Sequence, residues 1–336
     1  LASAITSNPG GAYALAGNYD ASQDGTYADA PVATTLTGSV EGLGNIISHL
    51  SIDHHKGGRA QPLIGLFADI GSGGVVAGVR LHGLDFKVSS GKWIRGDVGG
   101  LVGSNDGTLF DDETAGKIWT KVVEETGGLA GVNEGSIVSS SANVRVAGAG
   151  GGGLVAGNYG IISLSHADGA VNCGSGLVDN NEGNISESYA TGTVTCGTSG
   201  MILGGLVGLS QVSGDINNSY ATGSVTGGPD SELGGFVGED DTTIEDSYST
   251  GVVTGGTGAL VGGFSGTNGT FTDCYWDTTT SGTNQGTGLG NTTGLTGLTT
   301  EQFQSGLPAG FGSKVWRERA NTDDGLPYLI NNPPAK

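Results

Sequence analysis

Three acidic clusters are the groups in this chain best placed to do acid–base or cation chemistry: Asp111-Asp112-Glu113, Glu239-Asp240-Asp241, and Asp273 with Asp277. Paired carboxylates can act as acid and base in glycoside cleavage or share a Ca²⁺ ion. The plainer reading makes them solvated turn residues. No basic residue stands in register beside them, and lyase chemistry would want one as base or charge neutraliser. Asn105-Asp106-Gly107 followed by Asp111 and Asp112 is only loosely Ca²⁺-like and lacks the spacing of a defined loop, so no cofactor is expected. Asp53-His54-His55-Lys56 is the one dense histidine cluster; adjacent histidines in a turn point apart, and no further His or Cys has metal-ligand spacing, so no metal site is expected. No nucleophile elbow, phosphate loop or His-Glu-x-x-His motif survives a context check. Catalysis therefore has no positive support.

The elements that must position these residues come from a repeat. Leu101, Leu129, Leu154, Leu177, Leu206, Phe236 and Phe264, each preceded by Gly, open seven similar units at spacings of 28, 25, 23, 29, 30 and 28 residues. Four residues on stands Asn105, Asn133, Asn158, Asn181, Ser210, Asp240 or Asn268. An apolar residue follows: Leu109, Ile137, Ile162, Ile185, Ile216, Ile244 or Phe271. Then come Ser140-Ser141, Ser165-His166, Ser188-Tyr189, Ser219-Tyr220, Ser247-Tyr248 and Cys274-Tyr275, an element the Leu101 unit lacks. Short β-branched runs broken by Gly read as strands, and nothing has helical periodicity. Coils of this length suit an all-β, right-handed parallel β-helix whose equivalent residues stack about 4.8 Å apart. Asn at the corner is read as tolerating the left-handed backbone.

Stacking turns sequence offsets into ladders. Cys173 and Cys196 are 23 residues apart, the length of their coil, which places them on adjacent rungs within disulfide reach; the competing reading is two stacked thiols. Tyr189, Tyr220, Tyr248 and Tyr275 form a ladder read as outward-facing, either stiffening the chain by self-stacking or offering a flat strip to sugar rings, with stiffening preferred. Trp93 and Trp119 sit in residues 86–97 and 110–126, read as irregular inserts. Inserts on one face of a solenoid are where binding specificity is placed, so Trp93, Trp119, Asp111 and Asp112 are the candidate ligand-binding residues.

The segments GGLVG-x-N, G-x-I and SYATG-x-V resemble the GLUG motif of large bacterial surface and secreted proteins, including filamentous-haemagglutinin-like adhesins exported by two-partner secretion and some immunoglobulin A peptidases that carry it outside their catalytic domain. GSVEGLGNIISHLSI is similar to the coil that precedes such repeats, and CYWDTTTSG, LTTEQFQ, LPAGF and DGLPYL to the segment that closes them. The resemblance implies a β-helix and export, and no catalytic residues.

Organisation follows: residues 1–100 as an N-terminal cap with degenerate first coils, 101–276 as regular coils, and 277–336 as a C-terminal cap and linker, with a short helix at 300–304 that Thr299 and Gln302 cap reciprocally and with Trp316, Tyr328 and Leu329 plugging the open end. With 13 basic and 33 acidic residues the net charge is −20, which disfavours nucleic acid and anionic membranes as partners. No stretch is apolar enough to insert in a bilayer. The expectation is a monomeric segment of a longer secreted or cell-surface polypeptide, an adhesin displaying its inserts to a glycan or a surface protein. A polysaccharide lyase or hydrolase and a purely structural stalk are the competing readings.

Overall fold

The structure, a computed structural model, describes residues 1–55, 61–211 and 213–334; within these, the side chains of 90–95, 122–124 and 149 are not described. The chain is a parallel β-helix. It divides into two compact units, Leu1–Ile161 with His166–Asn172, and Ile162–Ser165 with Cys173–Lys336.

In the first unit the strands Ser39–Glu41, Val75–Ala77, Thr108–Phe110 and Ser136–Val138 pair in parallel with Val40, Val76, Leu109 and Ile137 in one row. Ala12–Ala14 pairs with the first of them, so coiling begins ahead of the recognisable repeat. A second row runs Phe67–Ile70, Val102–Asn105, Ala130–Asn133 and Val155–Asn158. The third is built from long strands, Arg80–Gly99, Glu113–Gly127 and Ser141–Gly152. Residues 86–97 and 110–126 are therefore not irregular inserts. They are mostly strand, paired with one another, and irregularity is confined to register shifts after Ser89, Ile94 and Trp119. The alternation Phe86, Val88, Ile118, Thr120, Val144 and Val146 inward against charged residues outward is strand periodicity. The repeat reading missed it because these strands outgrow the repeat.

In the second unit Ile185, Ile216, Ile244 and Phe271 pair in one row. Ile216 and Phe271 stand off the common sequence spacing, yet their turns absorb the difference. Leu177, Leu206, Phe236 and Phe264 form the inward row, each amide donating to the carbonyl one coil on, at 2.8–2.9 Å, and the Phe236 and Phe264 rings stack at 4.6 Å. Glycine precedes each of these residues because coils touch there: a Cβ on Gly205 would collide with the Gly235 carbonyl. Residues 277–298 add a further coil, Thr287–Leu289 and Leu295–Leu298 pairing with the strands before them, where a capping segment was expected to start.

The corner chemistry also differs from expectation. Asn105, Asn133, Asn158 and Asn181 are fully buried and not left-handed; their amides form ladders, Asn105 Nδ2 donating to Asn133 Oδ1 at 2.7 Å and Asn133 Nδ2 to Asn158 Oδ1 at 2.8 Å. Asn268 alone of the corner asparagines is left-handed as expected, at φ 58°; the recurrent left-handed residue sits elsewhere, just before the ladder serine or its counterpart. Gly78, Asp111 and Ser139 in the first unit, and Leu164, Glu187, Asn218, Asp246, Asp273 and Gly294 in the second, all have φ between 45° and 79°. Each non-glycine there costs roughly 1–2 kcal/mol. The following serine offsets that cost: Ser188 Oγ donates to the Ser186 carbonyl at 2.8 Å and accepts the Ser165 amide at 3.2 Å, and Ser219 and Ser247 repeat the pattern.

Candidate functional site

Asp111-Asp112-Glu113 is the corner element that the Leu101 unit was expected to lack. Asp111 is the left-handed residue and pairs with Arg80 at 3.4 Å. Asp112 takes the serine position: it is buried, accepts the Val79 amide at 2.8 Å and the Phe110 amide at 3.1 Å, and donates its own amide to Ser140 Oγ. Burial drives its carboxyl well above the usual range, against those two amides. Asp112 is thus spent on backbone and is not available to a ligand. Arg80 also holds Glu113 at 2.9 Å, so a basic residue does stand in register beside this cluster.

Asp240 replaces the ladder asparagine, as its spacing implies, but it is buried rather than solvated. Its Oδ1 accepts from Thr242 Oγ1 at 2.7 Å and from the Thr242 amide at 3.1 Å, and desolvation pushes its pKa to about 6. Asp277 is buried too, accepting the Thr279 amide and the Thr300 hydroxyl. His54 turns to the Ala28 carbonyl and Asp29, while His55 turns to Asp53 and Ser89; Lys56 lies outside the described residues. No group of three or more metal-ligating side chains occurs among the described residues.

The tyrosine ladder stacks, Tyr189 on Tyr220 at 4.7 Å and Tyr220 on Tyr248 at 5.2 Å, but it is covered. After the helix Thr300–Phe303, whose capping box is formed by Thr299 and Gln302, the chain runs back along the tyrosines instead of plugging the coil end. Phe303, Phe311, Trp316 and Leu329 pack on them. Tyr248 Oη donates to the Pro327 carbonyl at 2.6 Å, Tyr275 Oη to Ala309 at 2.8 Å and Tyr189 Oη to Pro333 at 3.3 Å. Asn332 donates to the Ser165 and Glu187 carbonyls. A sugar ring has no access to this strip. Cys173 and Cys196 are joined in a disulfide, Cα atoms 4.5 Å apart, and Cys274 is a buried thiol in the serine ladder.

What remains open is the outer face of the long strands in the first unit. Trp119 stands there 46% exposed. The side chain of Trp93, on the neighbouring strand, lies outside the described residues. In register, Lys87 is Trp119's neighbour on the preceding coil and Ala147 on the following one. Lys117 and Lys121 lie two positions to either side, and Arg145 pairs with Lys117. All four cations point outward. Lys117 reaches Asp85 at 3.2 Å. Sequence reasoning singled out Trp119 and missed the cations. The readable signal was their distribution: 9 of the 13 Lys and Arg residues fall between Lys56 and Arg145, and none between residues 146 and 313. A cleft of about 840 Å³ also opens near the N-terminal helix, lined by Leu15, Ile47, Leu50 and Leu66, where Tyr19 and Tyr27 both donate to Asp24.

Fold and face together define a parallel β-helix with one open, long-stranded side. No protein-family model matches the chain. In sequence, 111 residues, 33% of the chain, are 32% identical to Halomucin of Haloquadratum walsbyi, over 1% of that protein. In structure, the chain aligns with a solved IgA1 Protease at a TM-score of 0.51 and 18% identity, over 74% of this chain and 21% of that one. The chain thus matches only a small part of either protein, and the likeness to the protease shows the fold alone.

Proposed function

We propose that this chain is a segment of a secreted or cell-surface protein and acts as a non-enzymatic, adhesin-type binding module, presenting the long-strand face of its first unit to a glycan or a surface protein. The observation that carries this reading is Trp119, a large aromatic ring left in solvent by a fold that buries its tyrosine ladder under its own C-terminal segment. The Cys173–Cys196 disulfide fits an oxidising, extracellular compartment. The resemblance of the repeat to the GLUG motif and the local likeness to Halomucin support the same setting. Asp112, Asp240 and Asp277, three carboxylates of the acidic clusters, are engaged in backbone and corner bonds, which favours binding over paired-carboxylate catalysis. The test is binding of the intact chain to a glycan array and to cells: Trp119→Ala abolishes the signal if this face is the site. Binding that survives the substitution puts the site off this face, and no binding at all leaves a scaffold; either result removes the proposal.

A further inference from the structure

Resting on the reading of the long-strand face as the ligand surface, we propose that the ligand is an anionic polysaccharide, one bearing carboxylate or sulfate groups, with a sugar ring laid on Trp119 and its charges taken by Lys87, Lys117, Lys121 and Arg145.

Register gives the geometry. Rungs lie about 4.8 Å apart, and alternate residues along one strand lie roughly 6.6 Å apart. Lys87 precedes the indole by one rung, Lys117 and Lys121 flank it along its own strand, and Arg145 stands diagonally on the following coil. Directly ahead of the indole on that coil is Ala147, which is small enough to leave the ring uncovered. Arg80 is already engaged by Asp111 and Glu113, and Lys117 by Asp85. Among the described residues no carboxylate pairs with Lys87, Lys121 or Arg145.

By this register Lys87 and Lys121 stand roughly 8 Å apart, at about the screening length of physiological salt, so their repulsion is only partly screened. In a chain of net charge −20, carboxylates are plentiful, yet among the described residues the two beside these cations are already engaged, Asp53 by His55 and Asp85 by Lys117. An outside anion completes it. The indole narrows the class: an inorganic anion needs no flat apolar ring, and a neutral glycan needs no cations. A ligand with both ring faces and spaced charges uses both, the ring by apolar contact and the charges by hydrogen bonds of the strong, charge-assisted kind. Nucleic acid also stacks and carries charge, but its one charge per roughly 1.7 Å of duplex meets the strongest repulsion from the acidic remainder of the chain.

The experiment uses the intact chain in affinity electrophoresis and calorimetry against polygalacturonate, heparin, neutral dextran and single-stranded DNA, at low and high salt. Expected are binding to polygalacturonate or heparin that weakens with salt, none to dextran, and a loss of at least about tenfold in Lys87→Gln/Lys121→Gln and in Trp119→Ala, with thermal melts unchanged because all three side chains are exposed. Dextran binding that Trp119→Ala removes and the lysine changes do not would overturn the anionic class while leaving the face as the binding site. Polyanion binding, DNA included, that is indifferent to Trp119→Ala would be bulk electrostatics and overturn the inference. Silence with every probe, together with no signal on a glycan array or on cells, overturns both this inference and the reading beneath it.

Discussion

The residue after the ladder corner is Glu113 or Ser141 in the first unit and Tyr189, Tyr220, Tyr248 or Tyr275 in the second, and the two units treat it in opposite ways. In the second unit the strands at this point are two to four residues long, Tyr189–Ala190, Tyr220–Ala221, Tyr248–Ser249 and Cys274–Asp277. Their tyrosines would present a large apolar patch, and the chain's last 30-odd residues cover it. In the first unit the strands Arg80–Gly99, Glu113–Gly127 and Ser141–Gly152 run 12 to 20 residues and, among the described residues, carry charge outward with no cover. The same corner thus leads either to a closed seam or to an open face, and strand length with outward chemistry decides which. A continuous apolar strip is either satisfied by the chain itself or left as a liability, whereas a charged face holding one indole can stay in water.

The largest effect that would break the contrast is Trp316→Ala, which opens the seam. Trp316 is 1% exposed, stacks on Phe311 at 4.5 Å and donates to Asn218, so its loss should cost about 3–5 kcal/mol, read as a lowered denaturation midpoint and early proteolysis near residue 316. Next is reduction of Cys173–Cys196, which closes a 23-residue separation; by loop entropy its loss costs about 3 kcal/mol, measured as the melting shift with and without reductant, while the alkylated protein gains two labels.

Asp240→Asn should act in the other direction. With a folded pKa near 6 against 3.8 for the free group, the folded chain holds a proton that the unfolded chain has released between about pH 4 and 6. Stability from this group therefore falls as pH rises through that window, and the full penalty, about 2–3 kcal/mol, applies above it. The amide should raise the melting temperature at pH 7 and flatten this part of the pH profile; an unchanged profile would remove burial as the cause. Breaking the asparagine ladder with Asn133→Ala should cost about 1–3 kcal/mol by orphaning buried amides, read by chemical denaturation. Smallest in stability is Trp119→Ala, within about 0.5 kcal/mol because the ring is exposed, although binding is expected to vanish.

Much of the β-helix was legible because its inward residues recur: the Leu/Phe row and the Ile row occupy the places their offsets imply, and stacking set the cysteine pair one rung apart. Corner chemistry was less legible. Asn is favoured both as a left-handed residue and as a stacking amide, and its spacing alone does not separate the two. The left-handed position itself is filled by Gly, Asp, Ser, Leu, Glu and Asn, a variety that hides it from any search for Gly or Asn. The long strands were misread as inserts because their alternation of period two runs on after the repeat has ended. The covered tyrosines were unreadable for a different reason: Trp316 lies 98 residues from the Asn218 it bonds, and no local pattern announces such a partner.

The returning C-terminal segment has a mechanical corollary. Its anchors run from the Ala309 contact on Tyr275 to the Asn332 contacts on Ser165 and Glu187, so one strip of chain is fastened across successive coils like a splint along a spring. Coils that could otherwise peel off singly are obliged to yield together, and tension on the carboxyl end is spread over the tyrosine seam before it reaches any single rung.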